Sequence, residues 1–132
     1  MKRFFAVLVV IVLLAGCSQT VQYTNDLTGK WIIYKLIMNN TDVTSRDQDS
    51  IKNYSITFTP DGHYVEQNAV PNSMGVVTDT TYQIGTWAFQ NSLEYLVLTD
   101  TAMNVRTYTI FNLQSNHVEL KRNGEDRYMR KP

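Results

Sequence analysis

The chain has 132 residues, with 12 Lys and Arg against 12 Asp and Glu, so its formal net charge is zero. A chain of this length folds as one small domain. Its charges form no run of one sign, which excludes the basic stripe that a nucleic-acid-binding protein needs. The single cysteine excludes an internal disulfide, so a buried core must stabilise the domain.

The first elements in chain order are those of a secretory signal. Met1–Arg3 is a positively charged start, Phe4–Leu14 is an uncharged apolar segment, and two small residues follow. This order is typical of a cleaved signal peptide. The apolar segment is shorter than the roughly 20 residues that a membrane-spanning helix needs. The sequence therefore predicts a signal peptide over residues 1–16.

The segment Leu14–Cys17 resembles a bacterial lipobox, the processing signal of lipoproteins. The resemblance implies cleavage before Cys17, a diacylglycerol on its sulfur and a fatty acid such as palmitate on its amine. Residues 17–26 are then the lipidated cysteine and a tether, which as a flexible coil would span roughly 15–18 Å. Residues 27–132 are the folded domain. Removing residues 1–16 leaves 116 residues with 10 basic and 12 acidic side chains, a net charge of −2.

The residue after the cysteine bears on location. Ser18 stands where many lipoproteins retained at the inner membrane have Asp, so the resemblance favours the outer membrane. The tether also lacks the acidic cluster that resembles a surface-export signal. We therefore expect a lipid-anchored protein of the bacterial cell envelope, at the outer membrane and facing the periplasm.

From Leu27 onward, segments rich in β-branched and aromatic residues alternate with turn residues, which predicts an all-β domain. Pro-Asp-Gly within Thr59–Gly62, and Asn123-Gly124, are favoured hairpin turns. Strands joined by short links run antiparallel. The predicted strands are Lys30–Met38, Tyr54–Thr59, His63–Gln67, Thr80–Phe89, Leu93–Thr99, Val105–Leu113, His117–Arg122 and Arg127–Arg130.

Apolar and polar residues alternate along these strands with a period of two. In the second strand Tyr54, Ile56 and Phe58 share one face, whereas Lys30–Met38 and Leu93–Thr99 are apolar on both faces. An open sheet with an apolar face and no covering helix would expose that face and its edges, and closure removes both problems. The predicted fold is therefore all-β, an antiparallel sheet that forms a closed or nearly closed barrel.

Two segments interrupt the strand pattern. Residues 39–52 are polar and charged, and the sequence leaves open whether they form a loop or a short helix that plugs one end of the barrel. Residues 68–79 contain Pro71, Asn72 and Gly75 and are predicted to be a mobile loop. Binding residues are often carried by such segments.

A Gly-x-Trp sequence, with Gly29 and Trp31, opens the first predicted strand. Together with the lipobox, the Thr59–Gly62 turn, the strand Tyr82–Trp87 and the final strand Arg127–Arg130, it resembles the small bacterial lipocalin-like lipoproteins. The resemblance covers residues 27–130. It implies an all-β domain, an eight-stranded antiparallel up-and-down (lipocalin-like) barrel with Trp31 packed at its base.

The same resemblance implies a basic side chain over the indole of Trp31, supplied by a late strand. Arg127 and Arg130 are the two candidates in this sequence. Such a cation–π contact contributes about 0.5–2 kcal/mol. Gly29, Trp31, Arg127 and Arg130 are therefore the predicted structural residues.

The sequence carries no pattern typical of catalysis or of a metal site. His63 and His117 each lie beside a turn, with no second ligand at metal spacing. The carboxylates of residues 39–52 lack the Gly and the final Glu of a calcium loop. There is no Gly-x-Ser-x-Gly elbow and no Gly-rich phosphate loop. We expect a protein that is not an enzyme and needs no metal or cofactor.

The interior of an eight-stranded barrel is either filled by its own side chains or just wide enough for one small ligand. The leading hypothesis is a dry cavity that binds a small apolar or amphipathic molecule, oriented by inward-facing Tyr hydroxyls. The predicted ligand-binding residues are Tyr54, Phe58, Tyr95, Tyr108 and Ile110. The alternative is a packed barrel that binds another envelope protein or an extracellular polymer through its loops and exposes an apolar or aromatic patch on one rim.

Overall fold

The computed structural model of the protein describes residues 19–132. The predicted signal peptide and Cys17 lie outside the described residues. In the described part, helix α1 covers residues 19–27 and helix α2 covers Gln48–Lys52. The strands are β1 Gly29–Met38, β2 Thr41–Asp42, β3 Ser55–Phe58, β4 His63–Pro71, β5 Val77–Gln90, β6 Tyr95–Asp100, β7 Val105–Phe111, β8 His117–Arg122 and β9 Glu125–Arg130.

Eight of these strands close into an antiparallel barrel. β1 pairs with β3, each later strand pairs with the next, and β9 pairs back with β1. The two-residue strand β2 pairs with the end of β1 outside this ring. All eight predicted strands are present, so the prediction of an eight-stranded up-and-down barrel is confirmed.

The hairpin formed by β4 and β5 is longer than predicted. β4 continues to Pro71 and β5 begins at Val77, and the two strands stay paired up to those residues. The prediction of a mobile loop over residues 68–79 is therefore wrong, because only residues 72–76 form the turn. Val70, Val77 and Thr78 in the flanks suit strands, whereas Asn72 and Gly75 mark the turn itself.

The two ends of the barrel differ. β1 starts, and β3, β5 and β7 finish, at one end, here termed the closed end; the turns after β4, β6 and β8 lie at the other end, the mouth. The closed half is filled by apolar side chains. Phe58 and Trp87 pack edge to face there, with ring centroids 6.0 Å apart, a favoured aromatic geometry. The buried core also includes Leu27, Trp31, Ile56, Leu96, Leu98, Val118 and Met129.

Helix α1 stands where the sequence predicted a flexible tether. Tyr23 and Leu27 are four residues apart and so share one face of this helix. Leu27 is fully buried, and Tyr23 packs edge-on against Phe89 of β5, with ring centroids 6.3 Å apart. The coil predicted over residues 18–26 is thus corrected, for residues 19–26, to a helix docked on the closed end. Within residues 19–132, no helix is long and apolar enough to cross a membrane.

Trp31 lies at the closed end, the place that the resemblance implied. Its side chain is fully buried, and its Nε1 donates a hydrogen bond of 2.7 Å to the carbonyl oxygen of Leu27. Gly29, two residues earlier, has a φ of +121°, and a Cβ there would contact the side chain of Lys131. The Nζ of Lys131 lies 5.1 Å from the centre of the Trp31 ring.

The basic residue over Trp31 is therefore Lys131, and the prediction of Arg127 or Arg130 is wrong. Arg127 lies inside the barrel, 5.1 Å from the ring centre of Tyr54. Arg130 is exposed and lies 5.7 Å from the ring centre of Tyr34. Lys131 follows the last residue of β9 and its side chain lies over Trp31, whereas Arg130, one residue earlier, is on the outer face next to Tyr34.

Residues 39–53 fold over the mouth. The backbone N–H of Val43 donates to the carbonyl of Leu36 at 3.0 Å, which ties this segment to the end of β1. Ile51 on α2 is buried, and α2 packs against β1 and β4. Of the two alternatives that the sequence left open, the structure has the short helix over one end of the barrel.

Candidate functional site

A partly open cavity of about 580 Å³ lies at the mouth, between α2 and the ends of β1, β4 and β9. We term it the mouth cavity. Its volume is in the usual range of small-molecule sites. It is lined by Ile33, Leu36, Met38, Asn39, Thr41, Val43, Arg46, Asp47, Ser50, Ile51, Tyr54, Asn68, Ala69, Glu125 and Arg127.

The apolar wall of the mouth cavity is made by β1 and the segment folded over it. Leu36 and Met38 come from β1, while Val43 and Ile51 come from residues 39–53. The backbone N–H of Leu36 donates to Thr44 Oγ1 at 3.0 Å, so the two sides of the wall are joined by side-chain as well as backbone hydrogen bonds.

Below the mouth cavity, ionised side chains cross the barrel interior. We term Tyr54, Glu66, Arg106 and Arg127 the interior ion cluster. Arg106 donates to both carboxylate oxygens of Glu66, from Nη2 at 3.0 Å and from Nη1 at 3.2 Å. Tyr54 donates to Glu66 Oε2 at 2.8 Å, and Arg127 Nη1 donates to the Tyr54 hydroxyl at 2.8 Å. Tyr54 and Arg127 also line the mouth cavity, so the cluster forms its floor.

Burial and pairing set the protonation states of this cluster. Burial alone would raise the pKa of Glu66, but the hydrogen bonds and charge of Arg106, with Tyr54 and Arg127, outweigh it and hold that pKa below its ordinary value. Burial opposes the charged form of Arg127, yet nearby Tyr54, Tyr108 and Glu125 raise its pKa. Burial raises the pKa of the Tyr54 hydroxyl well above its ordinary value. At neutral pH the cluster therefore contains one carboxylate, two guanidinium groups and a neutral phenol.

The charges on the lining of the mouth cavity balance in pairs. Arg46 Nε lies 2.8 Å from Asp47 Oδ1 on the α2 side. Arg127 Nε donates to Glu125 Oε1 on the β9 side. Two guanidinium groups thus face two carboxylates, and the lining has no net charge. Such a cavity does not favour a strongly charged ligand.

The structure brings only one of the predicted ligand-binding residues to the mouth cavity, namely Tyr54. Phe58, Tyr108 and Ile110 belong to the packed interior. Tyr95 is half-buried and alternates along β6 with buried Leu96 and Leu98, so it lies on the outer face and the prediction that it faces inward is wrong. Side chains fill the closed half of the barrel, and the mouth cavity lies at the other end.

Sequence reasoning missed Glu66 and Arg106, although the strand alternation carried a signal for both. In β4, Glu66 is two residues from buried Tyr64. In β7, Arg106 is two residues from buried Tyr108. Residues two apart on a strand face the same side, so the alternation predicts that both charged residues face the barrel interior. A carboxylate and a guanidinium on inward positions predict a buried ion pair.

A second concave surface lies outside the barrel. It is a groove of about 510 Å³ on β4, β5 and the β6–β7 turn, which we term the outer groove. Val65, Ile84 and Met103 line it and are exposed by 42%, 54% and 77%. Exposed apolar side chains gathered in one place are typical of an interaction surface.

The histidines and carboxylates of residues 19–132 do not gather into a metal site. No group of three His, Cys, Asp or Glu side chains in this part of the chain is arranged to hold an ion. His63 lies beside Asp61, with Nδ1 3.2 Å from Oδ1, and both side chains are exposed. His117 Nδ1 lies 3.4 Å from the Tyr34 hydroxyl.

Two comparisons with known proteins bear on this chain. Residues 1–18 match the family described as prokaryotic membrane lipoprotein lipid attachment site. A crystal structure of a lipocalin-like protein from Bacteroides uniformis superposes with a TM-score of 0.59 at 13% identity, covering 81% of this chain and 99% of that one. An uncharacterized protein from Bacteroides eggerthii superposes with a TM-score of 0.57 at 12% identity, covering 80% and 99%. No curated protein matches the sequence significantly.

These similarities show a lipoprotein attachment site and the fold of the domain. The chain carries a lipoprotein attachment site, and is a lipid-anchored lipoprotein of the cell envelope. Its domain has a lipocalin-like barrel fold. Cys17 is the only cysteine and lies inside the matched segment, and its acylation remains the prediction of the sequence.

Proposed function

We propose that this lipoprotein binds a small, uncharged amphipathic molecule in the mouth cavity and does so without catalysing a reaction. The observation that carries the proposal is the mouth cavity itself, about 580 Å³ in a barrel whose other half is filled. A cavity of this size with apolar walls and a few polar groups is the usual form of a small-molecule site.

The lining of the mouth cavity separates apolar from polar groups. Leu36, Met38 and Ile51 on its wall suit a hydrocarbon part, and burial of that part supplies most of the binding energy. On other sides Ser50, Asn68 and Arg127 offer hydroxyl, amide and guanidinium groups. Groups of this kind orient a ligand by hydrogen bonds to its polar end.

The proposed absence of catalysis rests on how the charged groups of the mouth cavity are held. General acid–base catalysis needs a group whose pKa lies near the operating pH. The hydrogen bond and charge of Arg46 lower the pKa of Asp47, and the pKa of Arg127 is raised. Asp47 and Arg127 are thus each held in the charged form, which suits a fixed binding surface.

The finer location is also part of the proposal. We place the lipid anchor on Cys17 and the protein at the outer membrane, facing the periplasm. Ser18, rather than Asp, follows the cysteine, and this supports the outer membrane. Acyl chains are each worth about 0.8 kcal/mol per buried CH₂, so two or three of them hold the protein stably.

Native mass spectrometry tests the ligand. The Cys17→Ser variant, produced in its own periplasm and purified without detergent, is expected to carry a stoichiometric adduct that is released on denaturation. Ser50→Trp should remove the adduct, because it fills the mouth cavity from α2. Gln48→Trp is the matched control, since Gln48 lies on the same helix but is exposed and does not line the cavity. A bare wild-type domain that also shows no thermal shift with a panel of lipids would contradict the proposal.

The outer groove supports a second candidate function, binding of another envelope protein. Its apolar residues lie outside the barrel, where a folded partner can reach them. A photo-crosslinking amino acid at Met103 should then capture one discrete partner in intact cells, while one at exposed Gln114, at the closed end, should not. Equal and diffuse crosslinking at both positions would count against this candidate.

A further inference from the structure

The docking of α1 fixes how the lipid anchor is connected to the barrel. The Trp31 indole donates to the carbonyl oxygen of Leu27, and both the backbone N–H and the hydroxyl of Thr28 donate to the carbonyl of Thr24, at 2.9 and 2.7 Å. With Tyr23 packed against Phe89, contacts are distributed along the second half of the helix. α1 is therefore part of the barrel's closed end and not a flexible linker.

The strand order shows that α1 lies over that end. Leu27 lies beside Trp31 of β1, whereas Tyr23 lies beside Phe89 of β5. In the ring β1-β3-β4-β5-β6-β7-β8-β9, β5 is three strands from β1 in one direction and five in the other. The helix thus lies over the end opposite the mouth and contacts side chains from two strands that are not neighbours.

Chain geometry then limits where the acyl chains can enter a bilayer. From Tyr23 to Gln19 the helix rises about 6 Å, and the two further residues to Cys17 span at most about 7 Å. The ten residues of β1 extend about 33 Å. With acyl chains on Cys17, the anchor is within reach of the closed end only.

We propose that the barrel stands with its closed end on the lipid surface and its mouth directed away from the membrane. The surface of the closed end fits this placement, because its exposed residues are mostly uncharged polar ones. They include Gln19, Gln22, Asn91, Asn112, Gln114 and Ser115. Contact with the bilayer therefore comes from the anchor and α1, and does not need anionic lipids.

The orientation determines what each surface can meet. The mouth cavity, the tip of the β4–β5 hairpin and the β6–β7 turn all face the aqueous side. Any ligand enters the mouth cavity from water or from another protein, and does not pass directly from the bilayer. The orientation itself rests on α1 and the anchor, and holds whether or not the mouth cavity binds a ligand.

Headgroup quenching on vesicles tests this placement. The acylated protein is reconstituted into neutral phosphatidylcholine vesicles that contain a small fraction of spin-labelled headgroups. Gln114→Cys places a fluorophore at the closed end, and Ala102→Cys places the same fluorophore in the β6–β7 turn at the mouth; both positions are exposed. Because Cys17 is the only native cysteine and its sulfur is acylated, the introduced thiol is the one that reacts.

We expect the label at position 114 to be quenched several-fold more than the label at position 102. Inserting about ten Gly and Ser residues between Ser18 and Gln19 gives a flexible linker. The insertion should largely abolish the difference in quenching between the two labels while leaving the fold intact. Equal quenching without the insertion, or stronger quenching at the mouth, would overturn the proposal. A difference that survives the insertion would show that α1 does not set the orientation. Failure of the protein to float with the vesicles would overturn the placement of the anchor on Cys17.

Discussion

Arg106 Nη2 lies 3.0 Å from Glu66 Oε1, although the two residues are 40 positions apart in the sequence and three strands apart in the barrel. Their bond therefore crosses the interior of the barrel and does not follow the sheet. The Glu66 side chain is only 2% exposed and that of Arg106 19%. A buried ion pair of this kind adds little net stability over an apolar pair, but losing one partner is costly because the other is left charged and unpaired.

Glu66→Ala should reduce the free energy of unfolding by about 3–5 kcal/mol, because it leaves Arg106 and Arg127 buried together without their shared carboxylate. Urea denaturation followed by circular dichroism measures this. Glu94→Ala is the matched control, since Glu94 is exposed at the closed end, and it should change stability by about 0.5 kcal/mol or less. The double variant Glu66→Met, Arg106→Met should lose less stability than the sum of the losses of Glu66→Met and Arg106→Met made singly; additive losses would mean that the two groups do not interact.

The pH dependence of stability should report the same carboxylate. Since the folded-state pKa of Glu66 is lowered, its ionisation contributes stability that is present above its unfolded pKa of about 4.3 and is lost as pH falls through the lower folded value. Glu66→Gln removes this contribution, so its stability should fall less steeply than that of the wild type between about pH 5 and pH 2. Denaturation curves at several pH values measure it, and parallel pH profiles would contradict the prediction.

The barrel was predictable from the sequence because its determinants are local. Alternation within each strand and turn residues between strands, such as Pro60 and Gly124, are read from neighbouring residues. The helical α1 was missed because its polar sequence looks like a tether. Only the barrel supplies Phe89, against which Tyr23 packs, so tertiary contact decides this helix.

The mouth cavity was not predictable in the same way. It depends on how residues 39–53 pack on β1 and β4, which alternation does not specify. The aromatic residues chosen as ligand contacts were typical of an apolar pocket, yet Phe58 and Tyr108 fill the interior. The partner of Trp31 was also missed, because Lys131 lies beyond the last strand and its reach depends on how β9 ends beside β1.

Gly85 should be sensitive to the addition of a single methyl group. A Cβ at this position would overlap the carbonyl oxygen of Thr99 and lie 2.8 Å from the ring of Tyr64. Gly85→Ala therefore forces β5 and β6 apart, at a cost of about 1–3 kcal/mol. Thermal unfolding measures the loss, with exposed Thr86→Ala as the control on the same strand. A Gly85→Ala protein as stable as the control would show that the strands approach each other less closely.

Trp31 and Lys131 should differ greatly in their contributions to the free energy of unfolding. Trp31→Ala removes a fully buried indole and should cost about 3–5 kcal/mol. Lys131→Gln removes only the charge over the ring and should cost about 0.5–1 kcal/mol. Arg130→Gln should not alter the environment of Trp31, since Arg130 lies over Tyr34. Chemical denaturation gives the stabilities. An Arg130→Gln loss larger than that of Lys131→Gln would contradict the assignment of the cation.

Replacing the anchor residue should release the protein from the membrane and leave its fold unchanged. Cys17→Ser removes the only sulfur in the chain outside methionine, so no diacylglycerol thioether can form. The variant should then appear in the soluble fraction of cells after separation of the membranes. Ser18→Ala is the matched control and should stay with the membranes, because the attachment sulfur is retained. The barrel of the released protein should unfold at the same denaturant concentration as the wild type, since α1 docks through Tyr23 and Leu27, both beyond the cysteine. Retention of Cys17→Ser in the membrane fraction would show that something other than a lipid on this residue holds the protein there.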